Sequence, residues 1–334
     1  MSPSPRIGYA AMLERTAPAE AVELAVHAEK HGFVGTAVSD HFQPWLPHGG
    51  EASYAWTVLG ALGARTTGPL GTAAVTAGYR VHPAVVAQAS ATVAAMFPGR
   101  HWLGIGAGEA LNEHVVGGYW PEAPERIARM FEAIEVIRKL FASGIAGKDV
   151  RHSGTYFRLE STRLWTMPAT APEIVVATAG PVTAKRAGRV ADGIVTIGTG
   201  IDKAAALLQR FDEGRREAGR DPATAAKAVR LDLSWAATDE EALANAMSEW
   251  AVGALRFPRG DVRSPYELEH MARTVRPEDI AERMPVSADP DVHRAHIQRY
   301  ADLGFTDIHL HNVGRNAREW IETCLLYTSD AADE

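Results

Sequence analysis

The chain has 334 residues, 46% of them hydrophobic and 22% charged, with 34 Lys+Arg against 41 Asp+Glu and a formal charge of -7. That length allows two ordinary domains or one large α/β barrel, and the apolar content suffices for a core that needs no disulfide or metal to hold it. A mildly acidic chain without a basic stripe argues against a nucleic-acid partner, and a single cysteine, Cys324, excludes a disulfide framework and a CxxC site.

The opening MSPSPRIGYAAMLERTAP holds no apolar run of signal length and carries Glu14 early. No apolar stretch reaches the ~18 residues that span a bilayer. The expectation is a soluble, cytoplasmic protein with no membrane partner.

A first strand is read at 7–9. The helix expected at 18–31 puts Ala21, Leu24, Ala25 and Ala28 on one face. A second strand at 35–38 runs into Ser39-Asp40-His41-Phe42-Gln43-Pro44-Trp45. His41 can exchange a proton near neutral pH, Asp40 can orient that ring or accept a bond from a ligand, and Trp45 can stack on a flat ligand. The structural alternative makes Ser39 or Asp40 a helix N-cap and Trp45 a core filler; the aromatic neighbours and the strand-end position favour the functional reading.

The third strand, at 70–75, lies in the small apolar run Gly71–Gly78, which offers either a floor for a planar ligand or an inner barrel layer. The nearly all-apolar helix at 83–96 should be buried on most sides. The fourth strand, 101–106, passes into Gly104-Ile105-Gly106-Ala107-Gly108-Glu109-Ala110-Leu111-Asn112-Glu113. Its glycines admit a close backbone approach, but Glu109 stands where a dinucleotide fingerprint needs its third glycine, so an NAD site is disfavoured. The run suits a flat ring with Glu109 pointing at it, or simply a tight turn with Glu109 at a helix N-terminus.

An amphipathic helix at 125–142 is followed by a turn-rich segment, 148–164, read as an inserted hairpin. A strand at 173–177 leads through Ala177–Val182 into a helix at 181–191 with Pro181 in its first turn, a place where free N–H groups can hold an anion. Strand 193–197, helix 203–218, strand 229–235 and helix 239–252 continue the alternation. The excursion at 254–277 carries Arg256, Arg259 and Arg263, with Arg283 beyond it, as candidates for an anionic substrate or as solvated surface. The last strand, 307–311, places His309 and His311 on one face; a metal is not assigned there, and the pair is read as core or pocket histidines. The last ten residues, from Leu325, look unlike a helix of this design and are set apart as an atypical, non-native tail. Repeated strand–helix alternation implies parallel strands with crossover helices, and eight units close into a single (β/α)8 TIM barrel with inserted loops over 1–324; an open doubly wound sheet is the alternative.

SDHFQPW, GTAAVT, HPAVVAQASAT, FPGRHWLGIGAGEALNE, WPEAPERIARMFEAIEVIRKLF and AGPVTAKRAGRVADG together resemble the coenzyme F420-dependent glucose-6-phosphate dehydrogenase family, within the luciferase-like deazaflavin- and flavin-dependent oxidoreductases. The resemblance runs from about residue 7 to about residue 320. It implies a luciferase-like barrel, a homodimer, and F420 across the C-terminal mouth. It also implies a non-proline cis peptide at Ala73–Ala74 and cofactor contacts on Asp40, Ala73, Ala74, Thr76, Ala107, Gly108, Asn112, Ala179, Gly180, Val182 and Thr183. His41 and Glu109 are the implied catalytic pair, with Trp45 and Glu14 beside them. For the substrate phosphate, Arg283 matches the family's arginine, Arg259 replaces one lysine, Thr196 stands for a threonine, and the other lysine is absent from 197–200, the nearest being Lys203. The expected activity is hydride transfer from an alcohol, with glucose 6-phosphate or a related sugar phosphate preferred, to F420. The alternatives weighed are an FMN-dependent luciferase-like monooxygenase and a non-catalytic F420 or sugar-phosphate binder.

Overall fold

A computed structural model of the chain describes residues 4–198, 200–256 and 259–323. Thr199, Cys324 and the tail from Leu325 lie outside the described residues. Eight strands form the barrel: β1 (Arg6–Ala11), β2 (Thr36–Val38), β3 (Leu70–Thr72, resumed at Val75–Thr76), β4 (His101–Gly106), β5 (Glu173–Ala177), β6 (Gly193–Ile197), β7 (Ala226–Leu233) and β8 (Asp307–Asn312). They pair in parallel in the order β3-β2-β1-β8-β7-β6-β5-β4, and β4 returns to β3 through Leu70↔His101 and Gly71↔Trp102, which closes the sheet. Closure decides between the two architectures in favour of the TIM barrel. Each crossover returns the chain to the same end of the sheet, as parallel neighbours require.

The strands read from sequence are all present, with two corrections. β3 breaks between Thr72 and Val75 around a cis Ala73–Ala74 peptide. β7 is Ala226–Leu233, shifted toward the N-terminus, because Ser234 leaves it to bridge Val286. The inserted hairpin forms as expected from Val150–Ser153 and Arg158–Thr162.

Strand alternation sorts the core. Leu103 and Ile105 of β4, Ile308 and Leu310 of β8 and Val229 and Leu231 of β7 face the helices and are fully buried. Val175, Val195 and Ala228 form the lumen layer with Trp102 packed against them. Gly71 is required there, since a Cβ would lie 1.9 Å from the Trp102 indole. The helix Pro83–Met96 buries Val86, Ala87, Ser90, Ala91 and Ala94, but Val85 and Met96 reach solvent. It is therefore a one-sided barrel helix, and its uniformly apolar sequence conceals that. The helices Ala55–Arg65 and Pro290–Asp302 have no counterpart in the sequence reading. The first offers no acidic residue in its first turn and no capping side chain, so no start signal marks it.

Candidate active site

The C-terminal ends of the strands carry the polar groups. Glu14, just past β1, is fully buried. It accepts a hydrogen bond from the Ser39 hydroxyl and another from Trp45 Nε1 at 3.2 Å, while Ser39 Oγ accepts from the Leu13 N–H at 2.8 Å. Burial alone would raise the Glu14 carboxyl; the nearby His41, the Ser39 hydroxyl and Arg230 outweigh it and hold it below its ordinary value. An ionised, fully hydrogen-bonded carboxylate thus fixes the Trp45 indole. The His41 ring lies 5.0 Å from that indole, and the Arg259 guanidinium sits 4.9 Å over it.

His41 Nδ1 is 3.2 Å from the Gln43 carbonyl and 3.2 Å from Asn112 Nδ2. Asn112 Oδ1 accepts the Phe42 and Gln43 N–H groups at 2.9 and 3.2 Å, and Gln43 Nε2 donates to the Leu111 carbonyl at 2.6 Å. The loops after β2 and β4 are tied together through His41. The capping alternative for Ser39 and Asp40 fails: the next helix starts at Ala55, with Tyr54 at its N-cap.

Asp40 is buried, with Oδ2 2.9 Å from Arg80 Nη2 and Oδ1 without a hydrogen-bond partner among the described residues. At the ends of β3, β4 and β5, Ala73, Ala74, Gly106, Ala107, Gly108 and Ala177 are half-exposed and make a floor of small residues. A Cβ on Gly106 would meet nothing closer than 3.7 Å, so the floor is open. Gly108 has φ +81° and packs on Thr76 and Glu113, where a side chain would clash at 2.9 Å. A bare shelf of small residues fits a planar ligand, and an unpartnered acceptor on a neighbouring loop suits one that carries N–H groups, as the deazaflavin does.

Glu109 follows this shelf at the N-cap of Ala110–Glu113, and its carboxylate makes no hydrogen bond among the described residues. The neighbouring Ala110 N–H donates 2.8 Å to the Gly260 carbonyl, which brings the excursion between β7 and β8 against the mouth. Arg259 thereby enters the mouth, with Nη1 2.6 Å from the Val252 carbonyl. Burial pushes this guanidinium down, offset in part by Glu109. Arg259 and Arg283 line one small cavity of about 90 Å³ with Trp45, Arg230, Asp232 and Trp250. Arg283 itself is exposed and has no ion pair among the described residues. The other arginines diverge: Arg256 pairs with Asp279 and Glu282 at 2.7 and 2.9 Å, and Arg263 is exposed outside the cavity.

Three groups of sequence candidates lie differently from the rest. Thr196 is buried on the helix-facing side of β6 with Ile194, away from both arginines. At the start of the helix Pro181–Val190, Ala179 and Val182 are exposed, Thr183 is buried, and Gly180 N–H is taken by Thr178 Oγ1 at 3.0 Å. His309 and His311 share the lumen face but separate along it. His309 stands 5.9 Å from Trp102 toward the N-terminal end, whereas His311 Nδ1 meets Asp232 at 2.9 Å near the mouth. Burial would raise Asp232, but Arg230, His311 and Trp250 hold it well below the carboxylate range. Among the described residues no group of three or more His, Cys, Asp or Glu side chains is gathered as for a metal ion, and no helix is long and apolar enough to cross a membrane.

Sequence reasoning missed Arg80, Glu113, Arg230 and Asp232. The last two carry a readable signal, since charges at alternate positions of a barrel strand face the lumen together.

A closed (β/α)8 barrel with acid, imidazole and indole on adjacent loops at its C-terminal mouth is the architecture of a barrel enzyme. The comparisons agree. The profile of the luciferase-like monooxygenase family matches residues 4–307, and the chain belongs to that family. It is 38% identical to an F420-dependent glucose-6-phosphate dehydrogenase of Microbacterium testaceum over 95% of this chain and 94% of the relative. It is 38% identical to the protein of that name from Mycobacterium avium over 98% and 97%. Among solved structures, an F420-dependent secondary alcohol dehydrogenase in complex with an F420-acetone adduct superposes with a TM-score of 0.93 at 32% identity, over 99% of this chain and 100% of that one. A coenzyme F420-dependent tetrahydromethanopterin reductase from Methanopyrus kandleri shares the fold at 19% identity, with a TM-score of 0.79 over 97% and 98%.

Proposed function

We propose that this chain is an F420-dependent oxidoreductase that oxidises an alcohol, with glucose 6-phosphate or a related sugar phosphate as first-choice substrate. The observation that carries the reading is the open small-residue shelf at the C-terminal mouth, with Asp40 and His41 on the loop after β2 and Glu109 on the loop after β4, and with Asp40 Oδ1 and the Glu109 carboxylate unpartnered among the described residues. When bound, the deazaflavin supplies the hydride acceptor. Asp40, Ala73, Ala74, Thr76, Ala107, Gly108, Asn112, Ala179, Gly180, Val182 and Thr183 are the residues proposed to hold it. Asn112 acts at least in part through the loop, because both ends of its amide are already used by residues 41–43.

His41 is the group proposed to take the hydroxyl proton. In the tautomer whose Nδ1–H donates to the Gln43 carbonyl, Nε2 carries the free lone pair; in the one whose Nδ1 accepts from Asn112 Nδ2, the ring proton sits on Nε2. The Glu14 carboxylate fixes Trp45, against which the imidazole packs. Glu109 is the second proton-bearing group. Arg283 is the proposed ligand for a substrate phosphate, because Arg259 is already engaged by Trp45 and the Val252 carbonyl. Thr196 would have to act from outside the lumen. We further propose a cytoplasmic homodimer with 1–324 as one functional unit; sedimentation and a variant truncated at 324 test these points.

The deciding experiment is an anaerobic cofactor panel of F420, FMN and NADP, followed by a screen of sugar phosphates and simple alcohols for F420 reduction. Tight FMN with oxygen consumption would replace the reading with a monooxygenase. F420 binding without turnover of any alcohol would leave only a binder.

A further inference from the structure

Arg80 belongs to none of the motifs above, yet it connects three strand-end loops of the mouth. It follows β3, whereas Asp40 follows β2 and Glu113 follows β4. Its Nη2 meets Asp40 Oδ2 at 2.9 Å, its Nε meets Glu113 Oε1 at 3.1 Å, and its backbone N–H donates to Glu113 Oε2 at 3.1 Å. The side chains are 9% (Arg80), 4% (Asp40) and 1% (Glu113) exposed.

One cation therefore serves two buried carboxylates. The guanidinium uses two of its edges, one on each acid, which a lysine ammonium cannot reproduce. Both Glu113 oxygens are satisfied. Among the described residues, Asp40 Oδ1 alone of the four carboxylate oxygens has no partner, although it is buried. An unpartnered buried acceptor is costly and rare, and here it stands on the loop after β2, one residue before His41. The geometry also decides which oxygen is offered, because Arg80 occupies the other.

We propose that Arg80 is a positioning residue for the cofactor: it holds Asp40 by Oδ2 so that Oδ1 is presented to an N–H or O–H donor of the bound deazaflavin. The proposal rests on the F420 reading above. A carboxylate oxygen only accepts, so the matching group of the cofactor must be a donor. Arg80 also places a guanidinium against the buried Asp40 side chain. Glu113 anchors the far edge of the guanidinium and passes the position of the β4 loop to it, since Gly108 packs on the Glu113 side chain.

The test combines F420 affinity, the visible absorption band of bound F420, and melting of the cofactor-free protein. Arg80→Met and Asp40→Asn should each weaken F420 by about tenfold or more, the effect of losing a charge-assisted bond, and should displace the band in the same direction. The double variant should bind no more weakly than Asp40→Asn alone, because Arg80 acts through Asp40. Arg80→Lys should recover part of the affinity. If Arg80→Met does not fold, Arg80→Lys and the double variant, which removes the charge left uncompensated, give the same comparison.

Arg80→Met that melts early but binds F420 with wild-type affinity and an unshifted band would overturn the proposal. So would a double variant whose losses multiply. Wild type that binds FMN and not F420, with the same ranking of variants, would overturn the cofactor reading and leave the role of Arg80 standing.

Discussion

Replacing Glu109 by Gln separates a chemical role from a structural one, because the structure predicts effects of very different size on rate and on stability. The side chain is half-exposed and accepts no hydrogen bond among the described residues. Its two favourable interactions are with the N-terminus of a four-residue helix, Ala110–Glu113, and with the charge of Arg259. A helix that short has little dipole, so the first is worth the low end of about 0.3–1 kcal/mol; a screened pair at a solvated mouth is worth about 0.2–1 kcal/mol. The expected loss of stability is therefore below about 1 kcal/mol, a fall in Tm of no more than about 2 °C for a chain of this size. Removal of a placed proton group costs ~10²–10⁴ in rate, or about 2.7–5.4 kcal/mol on the barrier. The assay is anaerobic F420 reduction with saturating substrate, run beside F420 binding by fluorescence and a melting curve. Glu109→Gln should bind F420 within about threefold of wild type and lose turnover by ~10²-fold or more. A variant that keeps its turnover but melts several degrees lower would make Glu109 a capping residue and remove it from the chemistry.

His41→Ala should likewise lower turnover by ~10²-fold or more, with a smaller effect on stability, since a loop-mouth imidazole contributes little to the core; normal turnover per folded molecule would refute this. Arg283→Ala should raise KM for glucose 6-phosphate by ~10–150-fold and leave an uncharged alcohol and F420 unaffected; equal harm to both substrates would make the arginine structural. His101, buried against Ser90 and the Leu70 carbonyl, is pushed down to about 4 by burial. Its folded pKa lies below the unfolded ~6.5, so its contribution to stability is whole above pH ~6.5 and is lost progressively as pH falls toward 4, to a total of about 3 kcal/mol. Denaturant unfolding at pH 7, 5.5 and 4.5 should show a shallower loss in His101→Gln than in wild type, and parallel curves would contradict it.

Much of the architecture is a local property of the chain. Period-two runs such as 101–106 and 193–197, bounded by glycine or polar turns, are strands whatever surrounds them, and the amphipathic stripe at 125–142 makes a helix. Eight alternations limit the topology to a barrel or an open sheet, and the motifs at 39–45 and 104–113 mark the two loops that carry His41 and Glu109. Closure was decided only in three dimensions, by pairing between β3 and β4 that no local pattern encodes. The helix Ala55–Arg65 has no cap or charge pattern to announce it and exists through what it packs on.

Polar chemistry at long sequence separation was the least legible part. The hydrogen bond from Asn112 to residues 42 and 43, the Asp40–Arg80–Glu113 group and the union of Arg15, His311 and Glu249 each join residues tens to hundreds of positions apart. A side chain read alone cannot say whether its partner is water or a buried charge. Tertiary structure separated Arg259 and Arg283, equivalent as letters, into a guanidinium already engaged by the protein and one without an ion pair among the described residues, and it turned Thr196 away from the lumen. Residue type and spacing determined which chemistry the mouth of the barrel can offer. Packing determined which of those groups remain unpartnered, because only the folded chain brings distant charges together and excludes the water that would otherwise satisfy them.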